Sequence, residues 1–186
     1  MTKPQRPAIT FGIQGGKGSF NQQALHFYTE REGITHYETK FLYTTHRVLK
    51  QLDLNVIDYG IFDIQNSVGG VVEETVHAMG AFTFHIVDEF QIPIQHFLMR
   101  RKDAQSSDIH TIMTHPQVIK QCKATLTNGF ESKYAITSGE GDLIDHAVVA
   151  EQLSQGKLPK STAVIGPKVL ADLYDFEIMA ENLQDD

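Results

Sequence analysis

The feature that most constrains this chain is an order of residues repeated along it: a short apolar run, a cluster of Gly, Ser, Thr or Pro, then apolar positions at helical spacing. Residues 8–13, followed by Gly15-Gly16-Lys17-Gly18-Ser19-Phe20 and a helix-like stretch at 21–30, are its first instance. A second strand is expected at 37–43 with a helix at 45–52, and a third at 59–64 with a helix at 71–79. Strands alternating with helices pack as α/β layers. The rhythm changes at 82–91 and 94–100, two longer strand-like runs that meet near Pro93. It resumes with a strand at 108–113 and a helix through 126 opened by Pro116, whose missing N–H is harmless in a first turn. A strand at 133–137, a helix at 143–155, a strand at 161–166, a helix at 167–174 and a strand at 176–180 complete the pattern.

No fixed-period repeat or low-complexity linker interrupts the chain. It reads as one α/β domain, 1–186, of two lobes: the first from about 1–80 plus 160–186, the second from about 81–159. A chain that leaves one lobe, builds another and returns leaves a cleft between them, where ligands commonly bind.

Hydrophobic residues at 41% and charged residues at 21% are ordinary for a globular domain. A net charge of −7 without a concentrated basic face argues against nucleic acid or an anionic membrane as the main partner. Cys122 stands alone, so no intrachain disulfide can form, and it reads as a small buried filler. The polar start of the chain lacks the apolar run of a signal peptide or bilayer span, which makes the cytoplasm the expected compartment. The histidines are scattered without H-E-x-x-H spacing, so no metal or other cofactor is expected. A G-x-S-x-G nucleophile elbow is also missing.

Chemistry is expected where strand ends meet helix starts, because unpaired backbone N–H groups there favour anions. The sequence offers such corners at residues 15–20, 66–70, 114–117 and 138–142. Ser19, Ser67 and Thr114 would equally serve as helix caps, the commoner use of these residue types. The first corner has neither G-x-x-x-x-G-K-[ST] nor G-x-G-x-x-G spacing, so it does not point to a nucleotide.

These same corners resemble the prephenate dehydratase family. Gly15-Gly16-Lys17-Gly18-Ser19-Phe20 resembles its G-P-E-G-S-F, and Tyr59-Gly60-Ile61-Phe62-Asp63-Ile64-Gln65-Asn66-Ser67, running on through Gly70 to Glu74-Thr75, resembles its Y-G-V-x-P-I-E-N-S…G-x-V-x-E-T. His115-Pro116-Gln117 followed by Gln121-Cys122 is similar to H-P-Q-A-L-x-Q-C, and Ala180-Glu181-Asn182-Leu183-Gln184-Asp185 to the family's A-x-N-I-Q-D. The resemblance implies a two-lobed, periplasmic-binding-protein-like fold of type II, and a lyase that removes water and carbon dioxide from prephenate to form phenylpyruvate in phenylalanine biosynthesis. It also implies a dicarboxylate ligand, a homodimer or higher oligomer, and a substrate cleft lined by Gly18, Ser19, Phe20, Asn66, Ser67, Gly70, His115 and Gln117.

The departures bear on catalysis. The family's T-R-F, with its proton-donating threonine, is expected a few residues beyond N-I-Q-D, and this sequence runs only to Asp186. The S-T-A expected after the 133–137 strand is replaced by something like Gly141-Asp142-Leu143, Gln65 replaces a glutamate, and Lys17 is new. No catalytic residue is assigned from the sequence. Decarboxylation with the hydroxyl retained, and carboxylate binding or sensing without turnover, stay open beside dehydration.

Overall fold

The computed structural model describes residues 8–68 and 70–185. The polar residues 1–7, Gly69 of the second corner and Asp186 lie outside that description. The first lobe is built on a parallel sheet in which β1 (Ile9–Ile13) lies between β2 (Tyr37–Phe41) and β3 (Tyr59–Ile61). Parallel neighbours need crossover connections, supplied by α1 (Phe20–Arg31) and α2 (Thr45–Asp53). The middle strand carries the core: Phe11 and Ile13 pack with Leu25 of α1, and the Phe11 ring stacks on Tyr59 at 5.4 Å. A hairpin of β4 (Gln65–Asn66) and β5 (Gly70–Val71) leads into α3 (Glu73–Met79).

The second lobe holds a five-stranded sheet containing β6 (Phe97–Arg101), β7 (Thr111–Met113), β8 (Ala135–Thr137), β9 (Thr162–Gly166) and β10 (Phe176–Ala180), in the order β10-β6-β9-β7-β8. β7 runs parallel to β8 and β9, while β6 runs antiparallel to β9 and β10. Successive strand side chains point to opposite faces. Met99 and Val164 therefore join one apolar cluster, and their neighbours Leu98 and Ile165 join the other. The first cluster is closed by α6 (His146–Ser154) and α7 (Val169–Tyr174), the second by α4 (Pro116–Gln121) and α5 (Lys123–Gly129).

Several expectations need correction. Residues 82–96 lie in no sheet, and only Phe97–Arg101 becomes a strand. The 116–126 helix divides at Cys122 because its second half has a cap of its own: the Asp185 carboxylate accepts from Ala124 N at 2.7 Å and Thr125 N at 3.0 Å. The expected 143–155 helix begins at His146, since Asp145 is its N-cap and a 3₁₀ turn, Gly141–Ile144, precedes it. Residues beyond 160 were expected with the first lobe, but β9 and β10 pair in the second sheet. All five residues of β9 are buried, and such a strand needs covered faces and two neighbours, which β6 and β7 provide. No helix among the described residues is long and apolar enough to cross a membrane.

Candidate functional site

A cleft of about 1460 Å³ separates the two lobes. On the first-lobe side its wall begins at the turn between β1 and α1, where Gly15 and Gly18 both take φ +88°. L side chains rarely adopt that conformation, and a Cβ on Gly18 would also stand 2.5 Å from Leu170 Cδ2. Ser19 ends the turn as N-cap of α1, its Oγ accepting from Gln22 N at 3.3 Å. Gln14 holds the floor: its Nε2 donates to Glu74 Oε2 at 3.1 Å and its Oε1 accepts from Asp63 N at 3.1 Å. Glu74 in turn accepts from Thr45 N and His46 N at the start of α2.

The second-lobe wall is made by the starts of α4 and α6. His115 caps α4 with Nδ1, which accepts from Gln117 N at 3.0 Å. That bond leaves the ring proton on Nε2. Burial, helped by the nearby His146, lowers the His115 pKa to about 4, so the ring is neutral near pH 7 and its Nε2–H is a fixed donor beside the cleft. Thr114 does not face a ligand; its Oγ1 donates to Ile165 O at 2.7 Å.

Asp145 joins the lobes. One carboxylate oxygen accepts from Ala147 N at 2.8 Å, capping α6, and the other accepts from Gly16 N at 2.5 Å. Thus the protein's own carboxylate engages the glycine corner. Burial raises the Asp145 pKa, against the two backbone N–H bonds that favour its charged form. Asp63, also facing the cleft, is raised by burial too, with its own backbone and Asn21 opposing. A second bridge runs from Gln117 Nε2 to Gly70 O at 3.4 Å, and a third, exposed, joins Arg47 to Asp142 at 3.1 Å.

The Phe20 ring forms the back of the site, 5.0 Å from the His96 ring and 5.5 Å from that of His146. His96 Nε2 shares a 2.5 Å hydrogen bond with Gln121 Oε1. His146 has no hydrogen-bond partner on either nitrogen, and burial, reinforced by His96, lowers its pKa to about 3. Burial pushes the Cys122 thiol up to about 12, so it stays protonated.

A family model for prephenate dehydratase matches residues 11–186. The chain belongs to the prephenate dehydratase family. Arogenate dehydratase 1 of Petunia hybrida is 28% identical over 135 residues, covering 73% of this chain and 30% of that protein. The bifunctional chorismate mutase/prephenate dehydratase of Enterobacter agglomerans is 25% identical over 183 residues, covering 98% of this chain and 45% of that protein. The chain thus spans less than half the length of these relatives. The prephenate dehydratase of Arthrobacter aurescens, solved in complex with L-Phe, shares the fold at a TM-score of 0.77 and 23% identity, over 96% of this chain and 56% of that one.

Of the residues expected from the prephenate dehydratase motifs, Ser19, Phe20, Asn66, Ser67, His115 and Gln117 line the cleft. Gly18 instead packs against Leu170, and Gly70 contributes its carbonyl to Gln117. Lys17 is exposed and outside the lining, and Asp142 is engaged by Arg47. Asp63, Glu74 and Gln121 stood inside the quoted motifs without being named as cleft residues, and Gln14, Asp145 and His146 were missed altogether; all six are on the cleft wall. Of these last three, a legible signal existed for Asp145: Asp145-His146-Ala147 places a capping residue directly before an apolar helix that starts three positions beyond the expected start.

Proposed function

We propose that this cleft binds prephenate and that the chain is a lyase converting it to phenylpyruvate, water and carbon dioxide. The observation that carries the proposal is the neutral His115, whose Nε2–H is oriented by the Gln117 N–H beside a cleft spanned by both lobes. The reaction asks for little covalent help. The electrons of the ring–carboxylate bond move into the ring as carbon dioxide leaves, the ring hydroxyl departs and takes up a proton to become water, and aromatisation supplies the driving force. A donor placed at the departing oxygen acts where negative charge develops. His115 supplies that hydrogen bond, Asn66 and Ser67 face the substrate carboxylates, and Phe20 packs on the ring. Cytoplasmic location and self-association belong to the same reading.

The test is mass-resolved product analysis after incubating the purified chain with prephenate, against a no-protein control because prephenate decays in acid. Phenylpyruvate above the control is the expected result. A decarboxylated product that keeps its hydroxyl, or saturable binding without turnover, overturns the assignment. Arogenate offered in parallel identifies the preferred side chain, since it would yield phenylalanine.

A further inference from the structure

A lyase reaction in this cleft needs a proton as well as a hydrogen bond. His115 donates from Nε2, but a neutral imidazole is a poor acid, so another group must supply the proton that turns the departing hydroxyl into water. Several carboxyl groups face the cleft, and most are committed to holding charge. Asp145 accepts from Gly16 N on one oxygen and from Ala147 N on the other. Glu74 accepts from Thr45 N and Gln14 Nε2 on Oε2 and from His46 N on Oε1. Asp142 pairs with Arg47 and Asp88 with Arg31. Donors and cations on a carboxylate favour its ionised form. Apart from Asp63, the remaining carboxyl groups of the wall are exposed.

Asp63 differs from all of these. It is half-buried just past β3, and none of the ion pairs among the described residues includes it. Its carboxyl meets its own backbone N–H and the Asn21 side chain. The prephenate dehydratase motif has proline at this position, a residue with no proton to give. The main chain here is fixed, since Asp63 N donates to Gln14 Oε1 at 3.1 Å while Gln14 Nε2 donates to Glu74 at 3.1 Å. Glu74 and Asp145 act electrostatically on Asp63 and on His115 alike, so the carboxyl and the imidazole face the same end of the cleft. Burial first, and then those two neighbouring carboxylates, raise the Asp63 pKa above its ordinary 3.8, which favours retention of its proton.

We propose that Asp63 is the general acid of the cleft, delivering its proton to the ring hydroxyl of the substrate as the carbon–oxygen bond breaks. The electrons of the ring–carboxylate bond enter the ring as carbon dioxide leaves, and those of the carbon–oxygen bond depart with the oxygen. The Asp63 proton makes that oxygen water, His115 steadies it through Nε2–H, and the Asp63 carboxylate takes its next proton from solvent. This role rests on the reading of the cleft as a lyase site.

The test is the pH dependence of phenylpyruvate formation from prephenate by the purified chain. Because the acid must hold its proton, kcat of the wild type is expected to fall as pH rises through the Asp63 pKa. Asp63→Asn is expected to lower kcat about 100-fold or more, to abolish that fall in the residual rate, and to leave KM and the urea midpoint near their wild-type values. Asp63→Glu, which restores a carboxyl, is expected to recover part of the rate. An Asp63→Asn variant as active as the wild type, or one whose residual rate keeps the same fall, overturns the inference while the lyase reading stands. A wild type that forms no phenylpyruvate overturns both. Carbon-13 NMR of labelled aspartate, with Asp63→Asn to assign the signal, reads the carboxyl without any substrate: titration above 3.8 is expected, and titration at or below it overturns the proposal.

Discussion

At the scale of the residue, His115 does two jobs that can be separated. Its Nδ1 caps α4, and its ring, with the proton on Nε2, lines the cleft. Asparagine is a strong cap but too short to reproduce the second donor. His115→Asn is therefore expected to leave the urea midpoint nearly unchanged while lowering phenylpyruvate formation roughly 100-fold, the usual consequence of removing one oriented donor. Equal losses of stability and activity would reduce His115 to a cap. His146 makes a different prediction. Its folded-state pKa is lowered from 6.5 to about 3, so the unfolded chain takes up a proton first as pH falls. Its contribution to stability is complete above 6.5 and is lost as pH falls toward about 3, with His115 acting in the same sense down to about 4. Thermal midpoints should decline across that window, and His146→Leu should flatten the decline. An identical profile in the variant would show that other groups set the acid limit.

At the scale of the element, caps decide where helices begin. The 116–126 stretch has helical spacing throughout, yet it divides at Cys122, where the backbone turns to φ −116° and ψ 17°. The first turn of α5 is then satisfied from far along the chain by Asp185, which also accepts from Thr125 Oγ1 at 2.9 Å. Leu183 N donates to His96 O and Asp185 N to Gln121 O, so the end of the described chain is stitched to the second lobe. Asp185→Ala should cost about 1 kcal/mol, a typical value for a lost cap, measured by urea denaturation. A change near zero would mean that water replaces the carboxylate at no cost.

At the scale of the molecule, the cleft is held by a small set of bridges of unequal weight. Arg47–Asp142 is exposed on both sides, with relative side-chain exposures of 50% and 57%, and such pairs contribute about 0–1 kcal/mol. The buried Gly16–Asp145 bond and the Gln117–Gly70 bond carry the junction. A ligand that binds only the folded cleft raises stability with its concentration, by about 2.7 kcal/mol at a hundred times its Kd. Prephenate should therefore raise the thermal midpoint, and Gln117→Ala should shrink that rise. No shift at saturating prephenate would remove prephenate as the ligand.

The sequence by itself determined the α/β class, the approximate place of most strands and helices, and the motifs of the prephenate dehydratase family. These are local properties, written in apolar spacing and in the residues that stop and start elements. Ser19 and His115 could be named because each sits beside a recognisable turn. Only the tertiary structure decided which sheet received β9 and β10, because their burial could be met by more than one set of neighbours. It also decided that Asp145 meets Gly16, a contact across 129 positions, and that Gln14 gathers Glu74 and Asp63 at the floor of the cleft. The strand-like composition of 82–95 was legible, but its main chain has no backbone hydrogen-bond partner among the described residues. A spacing rule sees neighbours in sequence; convergence of distant polar groups depends on how the lobes pack.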